Sequence, residues 1–121
     1  MRRWNDIVLS VPVWLDTWGQ LNLDRLPVKQ QRMALVIELA KKNLEYGGGP
    51  FGAAVFNRDT GELIAPGVNW VVPGRSSLLH AEIMALALTE QILGDDEMAR
   101  HGSSELVTTG EPGCARPAVL R

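Results

Sequence analysis

The residues with the clearest chemical potential are His80 and Glu82, spaced two apart at the head of the stretch Leu79 to Leu93. That stretch is rich in Ala, Ile, Leu and Met and free of breakers, so it predicts a helix. A helix N-terminus carries partial positive charge and unpaired N–H groups, and both favour a ligand or an oxyanion there. An imidazole is a good zinc donor. A carboxylate two residues on can lean over the same centre without binding the metal, take a proton from an activated water and return it to a leaving group. A glutamate among Ala81, Ile83, Met84 and Leu86 is costly to bury unless it has such a task or a good partner. The same residues also fit a plainer account, in which Glu82 complements the helix dipole and His80 has an ordinary hydrogen-bond partner.

These residues need elements to hold them. From Pro27, Met33, Val36, Ile37, Ala40 and Leu44 recur at three- and four-residue spacing and predict an amphipathic helix ending at Gly47-Gly48-Gly49. Lys29, Arg32, Lys41 and Lys42 fall between them and are read as a solvated face. Pro50 to Phe56 is a short apolar run bounded by breakers, a buried strand. Asn57 to Gly61 has turn composition, and Glu62 to Val72 reads as a second strand with a bulge or irregularity at Pro66-Gly67. The helix at Leu79 to Leu93 is apolar on nearly every side, which places it in the middle of the fold, with Gly94 closing it. Glu105 to Thr109 is a third strand, and Pro112 could open another helix. Helices interleaved with strands argue for a layered α/β domain.

Residues 1–26 contain Trp4, Trp14 and Trp18 without clear periodicity and are read as an N-terminal arm preceding a domain at 27–121. Packing of the indoles is favoured over a base-stacking platform, because the latter normally comes with basic residues close by. The chain of 121 residues suits one domain, with 45% hydrophobic and 21% charged residues. Its net charge of -2 gives no basic footprint, so a nucleic-acid partner is not expected and a small neutral substrate is. Cys114 is the one cysteine, which excludes an internal disulfide and suggests a reducing, cytoplasmic setting. Arg2 and Arg3 before the apolar run Ile7 to Leu15 mimic a signal peptide, but Ser10 and Pro12 interrupt the run and no small-residue cleavage site follows. The run is too short to span a membrane.

Gly48-Gly49-Pro50-Phe51-Gly52-Ala53, Gly67-Val68-Asn69, His80-Ala81-Glu82-Ile83 and Thr108-Thr109-Gly110-Glu111-Pro112 are successive landmarks in order. Together they resemble the zinc-dependent cytidine and guanine deaminase superfamily, whose signature is His-x-Glu followed by Pro-Cys-x-x-Cys. Gly-Gly-Pro-Phe-Gly-Ala most resembles the bacterial guanine deaminases. The resemblance implies a three-layer α/β/α cytidine-deaminase-like fold and hydrolytic deamination of a nucleobase or nucleoside, with guanine foremost. It implies Zn2+ as cofactor, bound by His80 and Cys114, and Glu82 as proton shuttle. Asn69 and the N–H of Ala81 would bind the base, Phe51 would line the pocket, and a homodimer would form. For Asn69 a strand-end turn, and for Phe51 simple core packing, are the competing roles.

One motif departs from that pattern. In Glu111-Pro112-Gly113-Cys114-Ala115-Arg116-Pro117 the two cysteine places hold Gly113 and Arg116, or, with one inserted glycine, Cys114 and Pro117. A thiolate is missing either way, whereas a catalytic zinc generally takes three protein ligands plus water. His101 is expected to be solvated rather than a third ligand. The chain is therefore expected to lack the C-terminal part of the fold, as a truncated or frame-shifted form, and a catalytically impaired relative is the alternative to an active enzyme. The strands at Phe51 to Phe56 and Glu105 to Thr109 are expected to leave an unprotected sheet edge.

Overall fold

The structure, a computed structural model, describes residues 4, 7–101, 104–109 and 119–120. Helix α1 spans Val13–Leu21 and α2 spans Lys29–Glu45. Strands β1, Gly52–Asn57, and β2, Leu63–Val68, follow. Helix α3 runs Ala81–His101 with a break at Gly94, where φ is 71°. Strand β3 is Ser104–Thr108, and Val119–Leu120 form a short β4.

The sheet order is β2-β1-β3-β4, and every neighbouring pair is antiparallel. β1 is thus the inner strand, flanked on both sides, and not the open edge expected for it. On the outer side of β3, β4 pairs with Ser104 and Glu105.

Two helices cover opposite faces. A side chain at Gly52 would lie 2.8 Å from the Val36 carbonyl oxygen, so α2 crosses on that face. Its register partner's neighbour, Gly67, instead faces the first turn of α3. Leu35, Val36 and Leu39 of α2 cluster with Ala54, Phe56 and Val68, while Ala81 and Ala85 of α3 cluster with Ala53, Val55 and Leu106. The strand alternation that sends neighbouring side chains to opposite faces thus builds a three-layer α/β/α fold.

Several local expectations need correction. The stretch read as an aperiodic arm contains α1, whose Leu15 and Trp18 are 2% and 5% exposed in the core. Trp14 stacks on Tyr46 with ring centroids 5.3 Å apart, so two of the three indoles pack, while Trp4 is exposed. α2 buries Arg32, Leu35, Val36, Leu39, Ala40 and Asn43, and Met33, Ile37 and Leu44 face outward. Apolar residues occur all round this helix, so hydrophobicity alone did not fix its inner face. Arg32 is not on a solvated face: it is 3% exposed and paired with Glu105 at 3.1 Å.

The second strand ends at Val68, and its irregularity lies opposite Val55/Phe56 rather than at Pro66-Gly67, which pair in register with Ala54 and Ala53. The turn at Asn57 is as expected, with the Asn57 Oδ1 accepting from the N–H groups of Asp59 and Thr60. α3 is not enclosed on all sides. Ala81, Met84 and Ala85 are buried, but Ile92 is exposed and Ile83, Leu86 and Leu88 are half-buried. No described helix is long and apolar enough to cross a membrane.

Candidate functional site

The antiparallel pairing of β1 with both neighbours brings the start of β1 beside the ends of β2 and β3. The Gly48–Phe51 loop, Asn69 and Thr109 therefore meet at one end of the sheet. The hydrogen bonds show it. Asn69 donates its N–H to the Phe51 carbonyl at 3.2 Å and accepts from the Gly49 N–H at 3.1 Å. Thr109 donates its N–H to the Gly52 carbonyl, and its Oγ1 accepts from the Gly52 N–H, each at 3.0 Å.

The start of α3 comes to the same end. Trp70, directly after Asn69, donates its N–H to the Leu79 carbonyl at 2.9 Å, closing the intervening loop at its base. Within that loop Gly74 donates to the Trp70 carbonyl, and a side chain at Gly74 would run into Leu79. Leu79, fully buried, anchors the residue before His80. His80 then caps the helix through its carbonyl, which accepts from the Met84 N–H at 3.0 Å. Gly67 completes the seat, since the absence of a side chain lets β2 touch the backbone of Ala81 and Ala85. His80 and Ala81 thus stand next to the strand end that carries Asn69.

Glu82 is 4% exposed and has no hydrogen-bond or ion-pair partner among the described residues. The buried polar atoms left without a partner among the described residues are Trp14 Nε1 and Asn43 Oδ1, so the Glu82 carboxylate keeps a small solvent-facing surface, where a substrate or a solvent molecule at the helix head can bond to it. Ala81 is buried as the first helical residue, where N–H groups lack an intrahelical acceptor. His80 is half-buried. Asn69 is half-buried as well; its Oδ1 accepts from the Val71 N–H at 3.3 Å, the strand-end turn, which leaves its Nδ2 without a partner among the described residues. Phe51 is 39% exposed, so core packing is not its place.

Asn43 was missed by the sequence reading. It is fully buried on α2 and donates from Nδ2 to the carbonyls of Gly49 at 2.9 Å and Asn69 at 2.8 Å. Its signal was its place one step beyond Leu39 and Ala40 on the true inner face of α2, which the outward-shifted pattern concealed.

A catalytic zinc needs three protein donors. Among the described residues no three His, Cys, Asp or Glu side chains converge, and Cys114 lies outside those residues. The described donors by themselves do not fit a zinc centre.

A comparison with curated proteins gave no match. Among solved structures, the guanine deaminase of Nitrosomonas europaea is 40% identical with a TM-score of 0.79, the match covering 92% of this chain and 62% of that one. A structure solved in complex with 2,6-diaminopurine is 44% identical with a TM-score of 0.78, over 87% of this chain and 56% of that one. The guanine deaminase of Bacillus subtilis is 28% identical with a TM-score of 0.60, over 70% and 52%. This chain therefore spans between half and two thirds of these relatives. The family model of the cytidine and deoxycytidylate deaminase zinc-binding region matches residues 27–116. With the site's landmarks gathered at one end of an α/β/α sheet, the chain belongs to the cytidine and deoxycytidylate deaminase family.

Proposed function

We propose that this chain carries the base-binding and proton-transfer part of a hydrolytic nucleobase deaminase, with guanine as substrate. The observation that supports this most is Glu82, a residue 4% exposed with no partner among the described residues, at a helix head that meets the strand end carrying Asn69. The reaction exchanges a C–N bond for a C–O bond: water adds to the ring carbon that bears the amino group, and ammonia leaves. Glu82 would take the proton from the water and deliver it to the departing nitrogen. Asn69 would offer its free Nδ2 to the base, the Ala81 N–H would meet a ring carbonyl, and Phe51 would wall the pocket at the rim. Family membership makes zinc the expected metal, with His80 and Cys114 as its candidate donors in this chain. Because the described donors do not complete a centre, no step here is assigned to the metal. Both a dimeric state and a cytoplasmic location remain part of this proposal.

A second reading, a family member that binds a base without turning it over, is favoured by the single cysteine in a motif that ordinarily supplies two thiolates. Ammonia release from guanine with zinc added, compared between the chain and Glu82→Gln, separates the two. The enzyme reading expects release that falls by roughly a hundredfold or more in the variant. No release from the unaltered chain, or equal release from both, overturns it. Bound guanine without release would establish the second reading.

A further inference from the structure

We infer that Asn43 is a positioning residue that fixes the base-binding Asn69. The inference rests on the proposed role of Asn69. Asn43 lies on α2, in the layer opposite α3, so its side chain crosses from the helix to the end of the sheet. Its Nδ2 donates to two carbonyls at once, those of Gly49 and Asn69. Its own carbonyl accepts from the Gly48 N–H at 3.0 Å, and Gly49 in turn donates its N–H to the Asn69 carbonyl at 3.1 Å. One carboxamide therefore ties three backbone segments: the end of α2, the glycine loop before β1, and the strand end that carries Asn69.

Two further observations point the same way. The two glycines make room for the two asparagines. A side chain at Gly48 would collide with the Asn43 carboxamide, and one at Gly49 would lie 3.0 Å from the Asn69 Cγ. And the Asn43 Oδ1 is buried with no partner among the described residues. A side chain that leaves a buried acceptor unmet is a poor choice for stability alone. A double donor is what this position requires, because both of its partners are carbonyl oxygens. Aspartate is isosteric yet could offer neither bond and would face two carbonyls with negative charge. The consequence is local. With the carbonyl of Asn69 held from α2 and its N–H held by Phe51, its backbone is tied on both sides, and the bond from the Val71 N–H to its Oδ1 then sets the direction of Nδ2.

The test uses the full chain, labelled with 15N, and two variants that attack the contact from opposite sides. Asn43→Ala removes the donor, and Gly48→Ala displaces it while leaving Asn43 in place. Amide hydrogen exchange and the Asn69 side-chain amide resonances are read together with equilibrium binding of guanine. The expected result is faster exchange at Gly49 in both variants, a shifted Asn69 side-chain amide, unchanged protection at Ala54 and Val55 inside β1, and guanine binding at least about tenfold weaker in each variant, the scale of a lost pair of buried hydrogen bonds. Asn69→Ala combined with Asn43→Ala should bind no worse than Asn69→Ala alone. Unchanged Gly49 exchange and an unchanged Asn69 resonance overturn the inference, as does additive weakening in the double variant. If the unaltered chain binds no guanine, the proposed function fails, and the exchange and resonance readings still decide the positioning role. If Asn43→Ala does not fold, Gly48→Ala decides it.

Discussion

Arg32 shows at the scale of one residue how a charge becomes part of a core. It sits on the inner face of α2 and uses all three of its side-chain nitrogens on partners outside that helix. Nε donates to the Leu26 carbonyl at 2.7 Å, one terminal nitrogen to the Arg58 carbonyl at 3.3 Å, and the other to Glu105 at 3.1 Å. Its guanidinium also lies 5.8 Å from the Phe56 ring centroid. The planar fork of arginine suits such divided bonding, which a lysine could not reproduce. Removing one partner of a mostly buried pair strands the other, at a cost of about 3 kcal/mol or more. Arg32→Ala is therefore expected to lower the denaturant midpoint strongly, while Arg32→Met together with Glu105→Leu recovers much of it. Urea unfolding of the three proteins checks this, and an unchanged midpoint for Arg32→Ala would show the pair to be idle. None of it was legible in the sequence, where Arg32 looked like a charge between apolar positions. Its partner stands 73 residues away, and helical periodicity carries no information about contacts at that separation. His80 and Glu82, by contrast, were legible because their meaning depends on two residues of spacing and the start of one helix.

At the scale of elements, the site depends on how closely α3 approaches β2. The alternating faces of β2 put Gly67 under the first turn of α3, where a side chain would lie 2.6 Å from the Ala85 amide nitrogen and run into the Ala81 carbonyl. Both atoms are backbone, so the helix itself must move. Gly67→Ala is expected to destabilise by about 1–3 kcal/mol, the usual range for overpacking. It should also weaken guanine binding, because the displaced turn is the one that carries His80, Ala81 and Glu82. Thermal unfolding and a binding titration read the two effects, and a variant as stable and as competent as the parent would show that the approach has slack. The glycine itself is visible in the sequence, where together with Pro66 it reads as a bulge or irregularity, whereas the strand stays in register there. A glycine in a strand signals either a bulge or close backbone approach, and only the third dimension decides which. The same limit explains α2. Its existence was plain from spacing, whereas its inward face was not, because Met33, Ile37 and Leu44 offered an apolar stripe as good as the buried one. α1 was missed for the opposite reason, since nine residues between Pro12 and Asn22, about two and a half turns, leave too few repeats for a period to show.

Over the whole molecule, the order of elements was enough to expect layers, and the layers were enough to bring the described parts of four sequence landmarks, the last of them Thr108 and Thr109, to one end of the sheet. What the order could not give was how far the core extends toward the N-terminus. Leu15 and Trp18 are buried with Leu35, Val36, Leu39, Phe56 and Val68, and α1 rests against β2 at the edge of the sheet. An appendage would leave those residues to water. Trp18→Ala in the full chain would open a cavity in the main cluster, at a cost of about 3–5 kcal/mol. Against a total stability of roughly 5–15 kcal/mol for a domain, that is enough to unfold a sizeable fraction of the protein near its working temperature. Val13→Ala, on the exposed side of the same helix, keeps the helix and touches no core residue, so it should leave the midpoint within about 0.5 kcal/mol of the parent. A single cooperative transition that moves down with Trp18→Ala and not with Val13→Ala would make α1 part of the folding unit that holds the site. A midpoint indifferent to Trp18 would mean that the region from Lys29 onward folds without help from α1.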